Sequence, residues 1–305
     1  GQQAQQGEKT YKVGIVQLVE HSSLDDANRG FVDGLKERGY EEGKNLTIDR
    51  QNAQADQSNL QNIVQRFISD KVDLICAIAT PAVQSAANAT RDIPIVGTAV
   101  TDYVSAKVVA SNDAPGGNVT GTSDLAPIAE QIDLLMALYP NAKTIGTIYS
   151  SSEVNSEIQV KAMKAYAESK GLTVRTATIS TVNDIQQAAQ SLVNKVDVFY
   201  EPTDNVISSA LPTLLSVTDP AGKGVVCGEP YQVRSGALVT YGIDYYKLGM
   251  QSGEMAADIL EGKAKPAAMP IQTAKELRIF VNKKNAAVLG VTIPEDVMKN
   301  AEIIE

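Results

Sequence analysis

"KVDLICAIATP" (71–81) and "KVDVFYEPTDN" (195–205) decide how this chain is read. Each opens on the same Lys-Val-Asp lead-in, runs through a short apolar stretch and ends in small hydroxylic or acidic residues beside a proline. A short apolar run bounded by turn signals reads as a buried strand. Two such strands with one lead-in predict two equivalent places in a structure written twice.

The flanking sequence extends this pattern. Before residue 71 come a strand "YKVGIVQL" (11–18) and a helix over roughly 25–38, in which Phe31, Leu35 and the Gly39 stop give a 3.6-residue period. A strand "NLTIDRQNA" and a helix "DQSNLQNIVQRFISD" follow. "TPAVQSAANAT" restarts a helix, with Thr80 expected as N-cap and Pro81 as first helical residue, before a fourth strand "IPIVGTAV" (93–100). From "AKTIGTIYS" (142–150) the order begins again: a helix over 153–169, the strand "LTVRTATIS", a helix over 182–194, the strand "VDVFYEP", a helix over 205–217, and the strands "GVVCGEP" and "ALVTYG". The alternation predicts an α/β protein of two Rossmann-like lobes, each a doubly wound parallel sheet.

The seam is expected near "APGGNVTGTSD" (114–124), with a second crossing at "YGIDYY" (241–246). An amphipathic helix over roughly 245–261, presenting Leu248, Met255, Ile259 and Leu260, is expected to pack back on the first lobe. The expected division is a disordered leader at 1–10, an N-terminal lobe of 11–122 plus about 245–268, and a C-terminal lobe of 123–244 plus about 269–305. Several crossings make a multi-strand hinge, which suits a pair of lobes that grip something.

Composition narrows the partners. The 305 residues carry a net charge of −9, which disfavours nucleic acid or an anionic membrane surface. No apolar run approaches the ~18 residues of a membrane span. Two cysteines, Cys76 and Cys227, and one histidine, His21, argue against a metal or haem site, and no cofactor is expected. The polar leader "GQQAQQGEKT" lacks a signal peptide; a cytosolic chain, a removed signal, a tether outside a membrane and an inert tail all remain open.

In open parallel sheets ligands bind beyond the carboxyl ends of the strands. Those ends carry "EHSSLD" (20–25), "ATPA" (79–82), "TAVTDY" (98–103), "SSSEVNS" (150–156), "EPTDN" (201–205) and "GEPYQ" (228–232). The candidate residues are Ser22, Ser23, Thr80, Thr101, Asp102, Tyr103, Ser151, Asn155, Thr203, Asp204, Asn205, Glu229 and Tyr231. Thr80, at a positive helix end, suits a carboxylate, with a plain cap as the alternative. Thr101 can complete that cradle, while Asp102 can simply brace its loop. Ser22 and Ser23 read first as caps. Glu229, Asp204 and Glu201 are the acceptors for an ammonium group. Tyr103 and Tyr231 are candidates for a side-chain slot, or ordinary loop tyrosines. His21 reads as a solvated loop residue, and both cysteines as core.

The segments "TAVTD", "PGGNVTG", "PTDN", "GALVTYGIDYYKLG" and "GEMAADILEGKAKP" resemble the substrate-binding components of ABC transporters, in the branch that includes tryptophan-binding, TrpX-like proteins. The likeness runs from about Tyr11 to the C-terminus. It implies a type I periplasmic-binding-protein fold whose lobes close on an amino acid, aromatic in this branch, in the cleft between them. It also implies an ABC permease and ATPase as partners, an extracytoplasmic location, and a lipid anchor or a free periplasmic form. By the same resemblance Thr80 and Thr101 match the carboxylate grip, and Glu229, then Asp204, the ammonium site. One departure is Tyr103, where the family usually has proline. Two other readings stay open: an amino-acid sensor domain, and a cofactor-independent racemase using the two cysteines.

Overall fold

The computed structural model describes residues 9–304; the expected leader at 1–10 lies outside them except for Lys9 and Thr10. Its elements are, in chain order, β1 (Tyr11–Gln17), α1 (Ser22–Glu37), β2 (Leu46–Asn52), α2 (Gln57–Ser69), β3 (Leu74–Ile78), α3 (Thr80–Ala89), β4 (Ile95–Val100), β5 (Val119–Ser123) and α4 (Ile128–Leu138). There follow β6 (Thr144–Ser150), α5 (Val154–Ser169), β7 (Thr173–Ile179), a 3₁₀ turn at Val182–Asp184, α6 (Ile185–Leu192), β8 (Val198–Glu201), α7 (Asn205–Ser209), α8 (Leu211–Thr218), β9 (Val225–Cys227), α9 (Pro230–Arg234) and β10 (Val239–Ile243). The chain ends with α10 (Tyr245–Leu260), β11 (Gln272–Thr273), β12 (Leu277–Asn282), α11 (Lys283–Leu289), α12 (Glu295–Lys299) and β13 (Ala301–Ile304).

Two compact units result. The first contains residues up to Leu18, Asp26–Ser123 and Tyr246–Gln272; the second contains Val19–Asp25, Asp124–Tyr245 and the residues from Thr273 on. The first sheet runs β11-β5-β4-β3-β1-β2 and the second β13-β12-β10-β9-β8-β6-β7. In the first, β1 pairs in parallel with both β2 and β3, and the sheet grows outward from there. In the second, β6 does the same with β7 and β8. At the end of the second sheet β12 runs antiparallel to β10, and β13 parallel to β12. The α/β class with two doubly wound parallel sheets is as the sequence predicts.

The Lys-Val-Asp echo has a physical cause. β3 and β8 hold matching places beside the first strand of their sheets. Asp73 donates its backbone N–H to Lys12 O and accepts Lys12 N–H at its carboxylate, 2.8 Å in each case. Asp197 repeats this with Thr144, at 2.9 Å both ways, and also accepts the Lys143 N–H at 2.7 Å. Those backbone donors hold the Asp197 carboxyl below the usual range. Each aspartate therefore pins the start of the central strand pair, and the buried Val72 and Val196 before it anchor the turn.

Strands β3, β4, β5 and β8 are buried along their whole length, as strands covered on both faces must be. Helix α10 joins the first unit against α1 through glycines. A Cβ at Gly30 would meet Tyr246 O at 2.1 Å, and one at Gly34 would meet Met250 O at 2.4 Å. Arg38 adds an ion pair to Asp258 at 2.7 Å.

Several elements differ from the sequence expectations. Helix α1 starts at Ser22 rather than near 25, so Ser22 and Ser23 are first-turn residues and not caps. Helix α3 starts at Thr80 itself, making Ala79 the cap residue and placing Pro81 one position further in. The helix expected over 205–217 is broken at Ala210 into α7 and α8. The strand "GVVCGEP" stops at Cys227, and Glu229 instead caps the short helix α9. Proline at the first helical position and an acceptor just before it favour that helix start over continued strand.

Candidate functional site

In the first unit the candidate residues follow β3 and β4. Ala79 has φ +85° and ψ 157°, a backbone region that side-chain-bearing residues rarely occupy. Its N–H donates to Thr98 O at 3.1 Å, and this tie to β4 holds the turn in place. The consequence is that α3 begins abruptly at the carboxyl end of β3. Thr80 is 2% exposed, and its hydroxyl has no hydrogen-bond partner. The first turn of a helix also leaves backbone amides without internal partners, and together they form a donor-rich end suited to a carboxylate.

Thr101 lies just past β4, buried, with its carbonyl accepting from Ser123 Oγ at 2.8 Å. Asp102 braces its own loop: its carboxylate accepts from Val104 N, Ser105 N and Ser105 Oγ at 3.0, 3.1 and 2.9 Å. Tyr103, expected as a candidate for a side-chain slot, packs inside the first unit. It is fully buried, and its hydroxyl donates to Thr122 O at 2.9 Å. Its hydroxyl also covers Gly97 and Gly121, where a Cβ would meet it at 2.5 and 2.4 Å. A tyrosine fits here because the two glycines leave room for its ring.

In the second unit three strand ends converge: the turn from β6 into α5, the turn from β8 into α7, and the turn from β9 into α9. Glu153 precedes α5 and is 2% exposed. Its Oε2 accepts from Asn205 Nδ2 at 2.7 Å, Asn155 Nδ2 at 2.9 Å and Asn205 N at 3.2 Å; its Oε1 accepts from Val206 N at 3.0 Å. Burial first, then the charge of Asp204, pushes the Glu153 carboxyl up to about 8. Asp204 caps α7 through Ile207 N and accepts from Ser150 N at 2.6 Å and Ser156 Oγ at 2.7 Å. Thr203 exchanges hydrogen bonds with Gln159, at 2.7 Å from the Gln159 amide nitrogen and 3.0 Å to its amide oxygen.

The expected ammonium acceptors have protein partners of their own. Asp204 is enclosed by its own helix cap and neighbours. Glu229 accepts from Ser23 Oγ, from Ser208 Oγ at 3.1 Å and from Tyr231 N at 2.8 Å, so its carboxylate organises α9 and the segment at Ser23. Glu201 is fully buried, and burial raises its carboxyl well above the usual range. Ser151 turns away, its hydroxyl donating to Ile179 O at 3.1 Å. Ser22 is exposed.

His21 is the residue that sequence reasoning placed wrongly. It is 5% exposed and not solvated. Its Nε2 lies 3.0 Å from Asn205 Oδ1, and its ring stacks on Tyr231 with centroids 5.7 Å apart and planes 15° from parallel. His21 Nδ1, Asn155 Oδ1 and Gln232 Oε1 are buried polar atoms without a hydrogen-bond partner. Glu153 was also missed, although it stands in the quoted "SSSEVNS" segment. An acid immediately before a helix and just after a strand was the available signal.

Cys76 and Cys227 are both fully buried, and burial pushes both thiols well above their ordinary value. Thiolate chemistry is disfavoured at such sites. Among the described residues no group of three or more His, Cys, Asp and Glu is placed to hold a metal ion, and no helix is long and apolar enough to cross a membrane. Two open surface grooves, about 660 and 390 Å³, lie before the strands, one beside Tyr139, Asn141 and Asp197 and the other beside Arg91, Asn118 and Lys265.

Comparison with known proteins identifies the family. The tyrosine-binding protein of Clostridioides difficile is 47% identical over 283 residues, covering 93% of this chain and 82% of that protein. A solved ABC domain from Streptococcus pneumoniae in complex with L-Trp is 41% identical, with a TM-score of 0.94 over 97% of this chain and all of that one. A conserved domain protein from Vibrio cholerae is 39% identical with a TM-score of 0.95, again over 97% of this chain and all of that one. Residues 12–304 match the family described as ABC transporter substrate binding protein, and the chain belongs to that family.

Proposed function

We propose that this protein is the extracytoplasmic receptor of an ABC importer, that it binds a free aromatic amino acid, and that it releases the ligand unchanged to a permease and ATPase. The observation that carries the reading is the buried Thr80 hydroxyl, partnerless at the start of α3 beside a strained Ala79. Such a hydroxyl, with the amides of a helix's first turn, matches an α-carboxylate. Thr101 extends the same end. The names of two similar proteins, one binding tyrosine and one solved with L-Trp, support the aromatic class. Raised cysteine thiols support binding without chemistry. A lipid anchor at the N-terminus is part of the proposal.

Thermal-shift and calorimetric titration with the twenty amino acids test this. A ligand at 100 times its Kd adds about 2.7 kcal/mol to the folded state, so Tyr, Trp or Phe is expected to raise the melting temperature. Absence of any shift with all three, or steady conversion of one of them, would overturn the proposal.

A further inference from the structure

We propose that His21 accepts, at Nδ1, a hydrogen bond from an N–H or O–H of the bound amino acid, and that Glu153 is the positioning residue that keeps this nitrogen an acceptor. The proposal rests on the amino-acid reading above and adds to it the groups that meet the ligand's donors.

Asn205 donates its Nδ2 to Glu153 Oε2 at 2.7 Å, which turns its Oδ1 toward His21. Nε2 of His21, 3.0 Å from that oxygen, must then carry the imidazole proton. In the neutral ring Nδ1 is left with a lone pair, and no partner among the described residues takes it. Tyr231 fixes the ring plane by stacking on it. The same Glu153 oxygen also accepts from Asn155 Nδ2 at 2.9 Å, and Asn155 Oδ1 is likewise left without a partner. One carboxyl oxygen thus aims two amides so that acceptors, not donors, remain available. Free buried acceptors match the α-ammonium common to all amino acids, or the phenol O–H and indole N–H of aromatic ones. A ligand carboxylate does not fit them.

His21 is the single histidine of the chain, so ¹⁵N-histidine labelling gives one set of imidazole signals. At mildly alkaline pH the ligand-free protein should show the Nε2–H tautomer. Glu153→Gln, which keeps an acceptor for Asn205, should retain it; Glu153→Ala should populate the Nδ1–H form. An Nδ1–H tautomer in the unaltered protein overturns the proposal whatever the ligand. Saturation with Tyr or Trp should move the Nδ1 resonance, and His21→Phe, which keeps a ring over Tyr231, should weaken binding about tenfold or more. A loss confined to Tyr and Trp identifies a ring-borne donor, and an equal loss for Phe identifies the ammonium. An unmoved Nδ1 signal under saturating ligand, or unchanged affinity of His21→Phe for all three, overturns it. If none of the three binds but another amino acid moves the Nδ1 signal, the aromatic reading fails and the role of His21 stands.

Discussion

Glu153 and Asp204 are buried side by side in the interior of the second unit, one from the start of α5 and the other from the cap of α7, close enough for the charge of one to act on the other. Burial raises both carboxyls, and the charge of Asp204 adds to the rise at Glu153. The two act as one titrating pair that keeps a proton at neutral pH.

That proton sets a pH dependence with a definite sign. An unfolded glutamate releases its proton near about 4.3, while folded Glu153 holds it to about 8. The native state therefore binds more protons across this window, and the pair's contribution falls as pH rises through it, levelling above about 8. The loss is on the alkaline side. Glu153→Gln has no proton to lose there, so its melting temperature relative to the unaltered protein should climb from pH 5 to pH 9 (about the range of the window). Parallel melting curves across that range would remove Glu153 as the titrating group.

Thr80→Val separates a ligand-binding hydroxyl from a structural one. The hydroxyl has no partner among the described residues, so an isosteric methyl should leave stability unchanged or slightly higher. Ligand affinity should fall about tenfold, or ~1.4 kcal/mol. Loss of stability at unchanged affinity, read by melting and calorimetry, would make Thr80 a framework residue.

The opposite signature is expected of Tyr103→Phe. Removing its hydroxyl strands the Thr122 carbonyl inside the first unit, at a cost of about 1–3 kcal/mol. The order of affinities for Tyr, Trp and Phe should not change. A reordering would return Tyr103 to the ligand's slot.

Gly34→Ala tests the seat of α10. The added Cβ would meet the Met250 carbonyl oxygen, which a backbone cannot move aside cheaply. We expect destabilisation of about 1–3 kcal/mol, measured by denaturant midpoint. A neutral effect would mean that α1 and α10 separate at little cost.

The fold was legible because its signals are local and repeated. Buried strands such as "DLICAIA" and "VDVFYE", regular helix stops at Gly39 and Gly171, and the Lys-Val-Asp echo all report on backbone pattern, which sequence encodes directly. The strand ends were legible for the same reason. The roles of individual side chains there were not, because partners in space decide them. Glu229 and Asp204 looked free in sequence, yet Ser23, Ser208 and Ser156, remote in the chain, occupy them. His21 looked solvated because nothing near it in sequence foretells Asn205, 184 positions away. Tyr103 looked like a ligand contact because the room made for it comes from Gly97 and Gly121 on neighbouring strands.

The placement of the last strands and of α10 bears on biosynthesis. The first unit needs residues 246–272 and the second needs those from 273 on, including the edge strand β13. Neither can be completed by a nascent chain that has emerged only as far as its middle. Completion of both units should therefore wait until residues beyond 273 have left the ribosome, and fragments cut at residue 123 or 245 should emerge as sticky, protease-sensitive halves.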